Sequence, residues 1–134
     1  MQNRYNRNNR RKYNLKVHIV LVTKYRKQIL VNGIDSYLKK TCECIAKQHC
    51  WSIIAMETDK DHIHILLEYD TAESVSKIIG AIKQLTTYQM WKSYTNVLQK
   101  HYWKQHILWS DGYFACSIGE VSAATIQNYI NSQG

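Results

Sequence analysis

No stretch of this chain approaches the roughly 20 consecutive apolar residues that a membrane-spanning helix requires. Residues 1–12 are basic, but no apolar run follows them before a strand-like segment, so the pattern of a secretory signal is missing too. A cytoplasmic protein with no membrane partner is expected. The four cysteines, Cys42, Cys44, Cys50 and Cys116, form no Cys-x-x-Cys pair. That argues against a structural zinc site and leaves them as reduced core or surface residues. No internal repeat or low-complexity linker interrupts the chain. With 134 residues and 45% apolar content, one domain spanning 1–134 and holding a core of its own is expected.

Acidic residues are scarce: 10 Asp and Glu stand against 18 Lys and Arg, a net charge of +8. A domain that basic usually meets a polyanion, nucleic acid first among them. Residues 1–12, with Arg10, Arg11 and Lys12, are expected to form a mobile basic arm, and Lys24, Tyr25, Arg26 and Lys27 follow closely. Cations interleaved with aromatics suit phosphate contact plus base stacking, the combination that single strands favour. A merely solvated basic surface is the competing explanation.

The remaining pattern alternates strands and helices. Leu15–Thr23 is apolar and β-branched, the mark of a buried strand, and Lys24–Asn32 reads as a loop. Gly33–His49 has its apolar residues at helical spacing. Trp51–Thr58 and Asp61–Tyr69 read as two strands of an antiparallel hairpin joined through a polar turn. Thr71–Tyr94 is the longest periodic helix, with Thr71 and Ser74 as capping options and Gly80 as a possible bend. Asn96–Ser110 has no assignable period. Tyr113–Ile118 is a fourth strand, and Ala123–Ser132 a last helix. The order β-α-β-β-α-β predicts a ferredoxin-like α/β (α+β) sandwich with an antiparallel sheet and helices on one face. The last helix is extra to that topology and is expected to lie across the other face.

The chemistry sits in Asp61-His62-Ile63-His64-Ile65-Leu66-Leu67-Glu68. Strand alternation puts His62 and His64 on one face and Ile63, Ile65 and Leu67 on the other, under the helices. Two imidazoles two residues apart on a strand can reach one divalent ion, with zinc or manganese favoured over magnesium by imidazole. The bland alternative is a half-buried histidine pair with no ligand. On the last helix Tyr129 and Gln133 are four apart and share a face, beside a stripe of Ile126 and Ile130. No general base can be picked. Asp61 and Glu57 are near in sequence, but alternation turns Asp61 away from His62.

Four segments carry a resemblance that covers almost the whole chain: Val17-His-Ile-Val-Leu-Val-Thr-Lys-Tyr-Arg26, Glu57-Thr-Asp-Lys-Asp-His-Ile-His64, Trp109-Ser-Asp-Gly-Tyr-Phe-Ala-Cys-Ser-Ile-Gly119 and Asn128-Tyr-Ile-Asn-Ser-Gln133. In this order and spacing they resemble the single-tyrosine HUH transposases of insertion sequences, the IS two-hundred type. The resemblance implies that Tyr129 is the nucleophile, that His62, His64 and Gln133 hold Mg2+ or Mn2+, and that the product is a covalent 5′-phosphotyrosine. It implies single-stranded DNA hairpins at element ends as substrate, and a homodimer with composite active sites. Arg10, Arg11, Lys12, Lys24, Arg26 and Lys83 are the expected DNA contacts. One departure falls on the long helix, where Lys83 is followed by Gln84-Leu85 instead of the family's Lys-Gly. The rivals are a relaxase or replication initiator with the same chemistry, and a non-catalytic nucleic-acid-binding domain on the same fold. The nucleophile helix of the former usually carries a lysine where Gln133 stands. The latter would show aromatics on the central strands, where histidines stand instead.

Overall fold

The computed structural model describes residues 15–70, 72–118 and 120–133, with the side chains of 120–124 and 133 outside that description. The basic arm with Arg10, Arg11 and Lys12 therefore lies outside the described residues, as does Thr71. Four strands, β1 (Leu15–Val22), β2 (Ser52–Asp59), β3 (His62–Tyr69) and β4 (Phe114–Ile118), form one sheet in the order β2-β3-β1-β4. All three pairings are antiparallel. Three helices accompany them: α1 (Ile34–Gln48), α2 (Val75–His101) and α3 (Glu120–Gln133). This is the expected α+β sandwich, with strand ends within a residue or two of the sequence reading.

Alternation along the strands sorts the sheet into two faces. Val17, Ile19 and Leu21 of β1 and Ile63, Ile65 and Leu67 of β3 are all essentially buried, in one core with Leu38 and Ile45 of α1 and Ile78, Ile79, Ile82 and Met90 of α2. Gly33 starts α1 with a φ of 95°, a left-handed value that favours glycine over any residue with a Cβ. Ser74 caps α2 by accepting from the Lys77 amide. The β2–β3 turn sits one residue later than expected, at Lys60 and Asp61, since the strands end at Asp59 and begin at His62.

α2 runs 27 residues, into the first part of the stretch that showed no readable period, and breaks not at Gly80 but at Tyr94 (φ −130°, ψ 37°). The chain beyond it is fixed by buried aromatic groups finding partners. The Trp91 indole N–H donates to the Ile107 carbonyl at 2.8 Å, and that of Trp109 to Thr86 Oγ1 at 2.9 Å. The Tyr102 hydroxyl donates to the Lys24 carbonyl at 2.7 Å. These tethers set the loop beside the end of β1, where the Lys24 amide donates to the Leu108 carbonyl and the Ser110 amide to that of Val22.

α3 lies across the opposite face, as expected. It docks over β2 and β3 through a second, small core in which Ala55, Leu66 and Ile130 are buried and Ile54, Ile118 and Ile126 pack at the margin. Full burial of a Leu- or Ile-sized side chain contributes roughly 1.5–3 kcal/mol, so this patch holds the helix by a few such increments.

Candidate active site

His62 and His64 stand on the α3 side of β3, their ring centroids 5.0 Å apart and their planes at 75°. Opposite them the helix brings Tyr129, whose ring centroid is 6.1 Å from that of His64 at an interplanar angle of 80°. Tyr129 is 54% exposed, so its phenol is open to a macromolecular substrate. Ile130, the next residue, is fully buried beneath α3 and sets the rotation that leaves Tyr129 at the edge of the helix. Gln133 is on the last turn of the same helix, and its side chain lies outside the described residues. Tyr129 meets the histidine of its own chain, so a second copy is not required to bring phenol and imidazole together.

Each histidine has one nitrogen engaged. His62 Nδ1 lies 2.7 Å from Asp61 Oδ1, whose other oxygen accepts from Arg26 Nη1 at 3.1 Å. His64 Nδ1 lies 3.2 Å from Nε2 of His18, on β1, and the two rings stack with centroids 5.4 Å apart. A tautomer that places the proton of each ring on Nδ1, toward these partners, would leave the Nε2 lone pairs of His62 and His64 for a metal. A carboxylate or other acceptor behind a ligating imidazole fixes its tautomer and raises its basicity. The donor set therefore fits a divalent ion on geometry and chemistry. Among the described residues no group of three or more His, Cys, Asp or Glu converges on such a point.

The local electrostatics keep these groups in usable forms. Burial lowers the pKa of His64, and the neighbouring His62 and His18 lower it further. Burial lowers that of His18 as well. The lowered values favour the neutral form of His18 and of His64, and neutral imidazole is the form that ligates a metal. The hydrogen bond from His62 holds the Asp61 carboxyl below its usual range, with Arg26 adding to the effect. Glu57, the cross-strand partner of His64, is committed to Lys39 at 2.7 Å.

His18 and Asp61 are the two participants that sequence reasoning missed. Asp61 is the last residue of the turn and not the first of the strand, so alternation does not govern it and its carboxylate folds back onto His62. Arg26 is placed by the short 3-10 turn Lys24–Arg26, which opens the expected loop. Lys24 pairs with exposed Asp111 at 3.4 Å beside the same turn. Lys83 is placed differently. Its ammonium donates to the carbonyls of Ser110, Asp111 and Gly112 at 2.7, 3.1 and 3.3 Å, and burial lowers its pKa. All three of its protons are directed into the chain's own loop instead of outward to a polyanion.

The family model described as "Transposase IS200 like" matches residues 11–133. The ISDra2 transposase TnpA of Deinococcus radiodurans is 32% identical over 121 residues, covering 90% of this chain and 85% of that protein. The transposase for insertion sequence element IS200 of Salmonella typhimurium is 31% identical over 129 residues, covering 91% and 78%. In three dimensions, a crystal structure from Deinococcus radiodurans R1 assigned as a transposase superposes with a TM-score of 0.73 at 30% identity, over 90% of this chain and 92% of that one. A REP-associated tyrosine transposase bound to a REP hairpin shares the fold, with a TM-score of 0.64 at 14% identity over 89% and 66%. Among the described residues no helix is long and apolar enough to cross a membrane. A two-faced antiparallel sheet with paired histidines under a tyrosine-bearing helix, matched along nearly its whole length by these relatives, places the chain in the IS200-like transposase family.

Proposed function

We propose that the chain cuts and rejoins single-stranded DNA at the ends of an insertion sequence, through a covalent 5′-phosphotyrosine at Tyr129. The observation that carries this reading is the 6.1 Å approach of the Tyr129 ring to His64, on a sheet face where the His62 and His64 ring centroids stand 5.0 Å apart. Hairpins at the element ends are the proposed substrate, in keeping with the relative that was solved on a hairpin.

The step is a transesterification. The Tyr129 oxygen attacks the scissile phosphorus, the bond from phosphorus to the 3′ oxygen breaks, and the leaving oxygen takes up a proton to become a 3′ hydroxyl. A tyrosine hydroxyl is a weak nucleophile at neutral pH because its ordinary pKa is about 10. His62, His64 and Gln133 would hold Mg2+ or Mn2+, which when bound neutralises charge on the phosphate and polarises it. The phosphotyrosine keeps the energy of the broken bond, so the 3′ hydroxyl of another strand reverses the step and joins DNA without ATP. Sheet and helix hold phenol and imidazoles on facing surfaces, which limits the motion needed for in-line attack. Lys24, Arg26 and the arm residues Arg10, Arg11 and Lys12 would contact phosphates.

The test is incubation with labelled hairpin DNA from the element's own ends and Mn2+ or Mg2+. A protein–DNA adduct stable to denaturation is the expected result. An RNA-binding domain would give no adduct with either nucleic acid, and a relaxase would act at a transfer origin instead.

Asp61 supplies a second prediction. Asp61→Asn weakens the acceptor behind His62 and sets an amide against Arg26, so Mn2+ affinity should fall roughly 10- to 100-fold. The fold should hold, because an ion pair as exposed as Arg26–Asp61 contributes at most about 1 kcal/mol. Calorimetric titration with Mn2+ beside a melting curve separates the two effects. An unchanged affinity would remove Asp61 from the site.

The chain is proposed to act as a homodimer, as the resemblance implies. Composite sites would need α3 to dock on a neighbouring copy, whereas the observed contact lies within one chain. Mixing Tyr129→Phe with His62→Ala subunits decides between them. The own-chain geometry predicts no recovered adduct. Recovery would place the tyrosine helix on its partner.

A further inference from the structure

The histidine-bearing face of the sheet is only partly covered. α3 sits over β2 and β3, while over β1 and β4 an open hollow of about 380 Å³ remains, lined chiefly by Val20, Val22, Tyr25, Arg26, Tyr113 and Phe114. Val20 and Val22 are the cross-strand partners of His64 and His62. Adjacent strands lie about 4.8 Å apart, so the hollow begins one strand away from the imidazoles.

Its walls are unusual for a protein surface. Tyr25, Tyr113 and Phe114 are 71%, 49% and 53% exposed, so none of the three rings is accounted for by core packing. The turn that presents Tyr25 is costly in itself. Tyr25 and Arg26 adopt consecutive left-handed conformations, with φ of 60° and 51°, which residues bearing a Cβ rarely take. The conformation is held by the Arg26 amide donating to the Thr23 carbonyl, by the Lys24 amide donating to the Leu108 carbonyl and by the Tyr102 hydroxyl on the Lys24 carbonyl. Strain that surroundings over-determine in this way gathers at ligand clamps. Here it lifts one aromatic ring into solvent beside a guanidinium.

The occupant follows from the chemistry. Aromatic walls on an apolar floor accept the face of a flat ring, and Arg26 retains donors beyond the one given to Asp61. A paired base in a duplex hides its face in the stack, whereas an unpaired base can lay it on a side chain. Tyr25 also borders a second hollow of about 250 Å³, where Trp103 is 74% exposed beside Lys104. A run of exposed rings and cations suits a polymer better than a lone small molecule. We propose that the hollow between β1 and β4 receives the unstacked base of a nucleotide next to the scissile phosphate, stacked on the wall formed by Tyr25, Tyr113 and Phe114. This position relative to the scissile phosphate rests on the strand-cutting function proposed above.

Photocrosslinking of the full chain to a 5-iodouracil-substituted oligo(dT) strand tests it. Crosslinks should map to peptides carrying Tyr25, Tyr113 or Phe114 and be absent with a duplex of the same length. Tyr25→Asn should weaken oligo(dT) binding about fivefold or more, as should Phe114→Leu, while Tyr88→Leu on α2 should bind as the unaltered chain does. Asparagine tolerates the left-handed backbone, so the melting temperature of Tyr25→Asn should stay level or rise, which separates lost stacking from lost folding. If crosslinks fall only elsewhere, or if Tyr25→Asn combined with Phe114→Leu binds normally while the unaltered chain still forms its Tyr129 adduct, the base site is refuted and the chemistry stands. If the rings crosslink but no adduct forms on the element's own hairpins, the chemistry is refuted and the hollow stands as a strand-binding site alone.

Discussion

Tyr129→Phe abolishes the covalent protein–DNA adduct while leaving binding of hairpin DNA within about twofold of the unaltered chain. The substitution removes a single oxygen. A phenylalanine ring keeps the edge-to-face relation to His64 and the same helix propensity, so the docking of α3 through Ile126 and Ile130 has no reason to change. Among the described residues no other tyrosine ring makes a ring contact with His62 or His64. The expected loss is therefore complete within detection, measured as radiolabel retained on the protein after denaturation. An adduct that persisted would move the nucleophile, with Tyr113, half-exposed just before β4, as the next candidate.

His62→Ala is expected to lower the rate of adduct formation by on the order of 10³-fold, from the several kcal/mol that a metal ion contributes to a phosphoryl transition state. His62 is the cleaner of the two histidines to remove. It is only half-buried, and its partner Asp61 keeps Arg26 when the imidazole is gone. His64→Ala should give a comparable loss of activity with an added cost in stability of about 1–3 kcal/mol, because it leaves the buried Nε2 of His18 without its partner. The two variants together separate chemistry from folding: both lose activity, and only His64→Ala melts earlier. If His62→Ala formed adduct at the normal rate in Mn2+, the paired imidazoles would revert to sheet packing with no ligand.

These expectations draw on features that were unequally visible in the chain. The two-residue period of a strand is strict, so placing His62 and His64 opposite Ile63, Ile65 and Leu67 needed nothing beyond local sequence. Covering the second face with the surplus helix followed from topology, and its docking stripe of Ile126 and Ile130 was readable at helical spacing. His18 was not readable, because it sits in an apolar run like any strand residue. Its contact with His64 depends on the β1–β3 register, a long-range fact with no local mark. Asp61 was misread for a different reason. The hairpin turn falls one residue later than the expected strand bounds placed it, at Lys60 and Asp61, which freed its side chain from strand alternation. The stretch 96–110 showed no period because a helix break at Tyr94 and tethers from Trp91, Trp109 and Tyr102 shape it. Lys83 looked like an outward cation on a helix, and only the return of residues 110–112 beneath it reveals its occupied donors.

Mass spectrometry of the adduct tests the account at its centre. Proteolysis of the denatured protein–DNA complex should yield one nucleotide-bearing peptide, from α3, with the 5′ phosphate on the oxygen of Tyr129. A phosphate found on Tyr113 or on any other residue would contradict it.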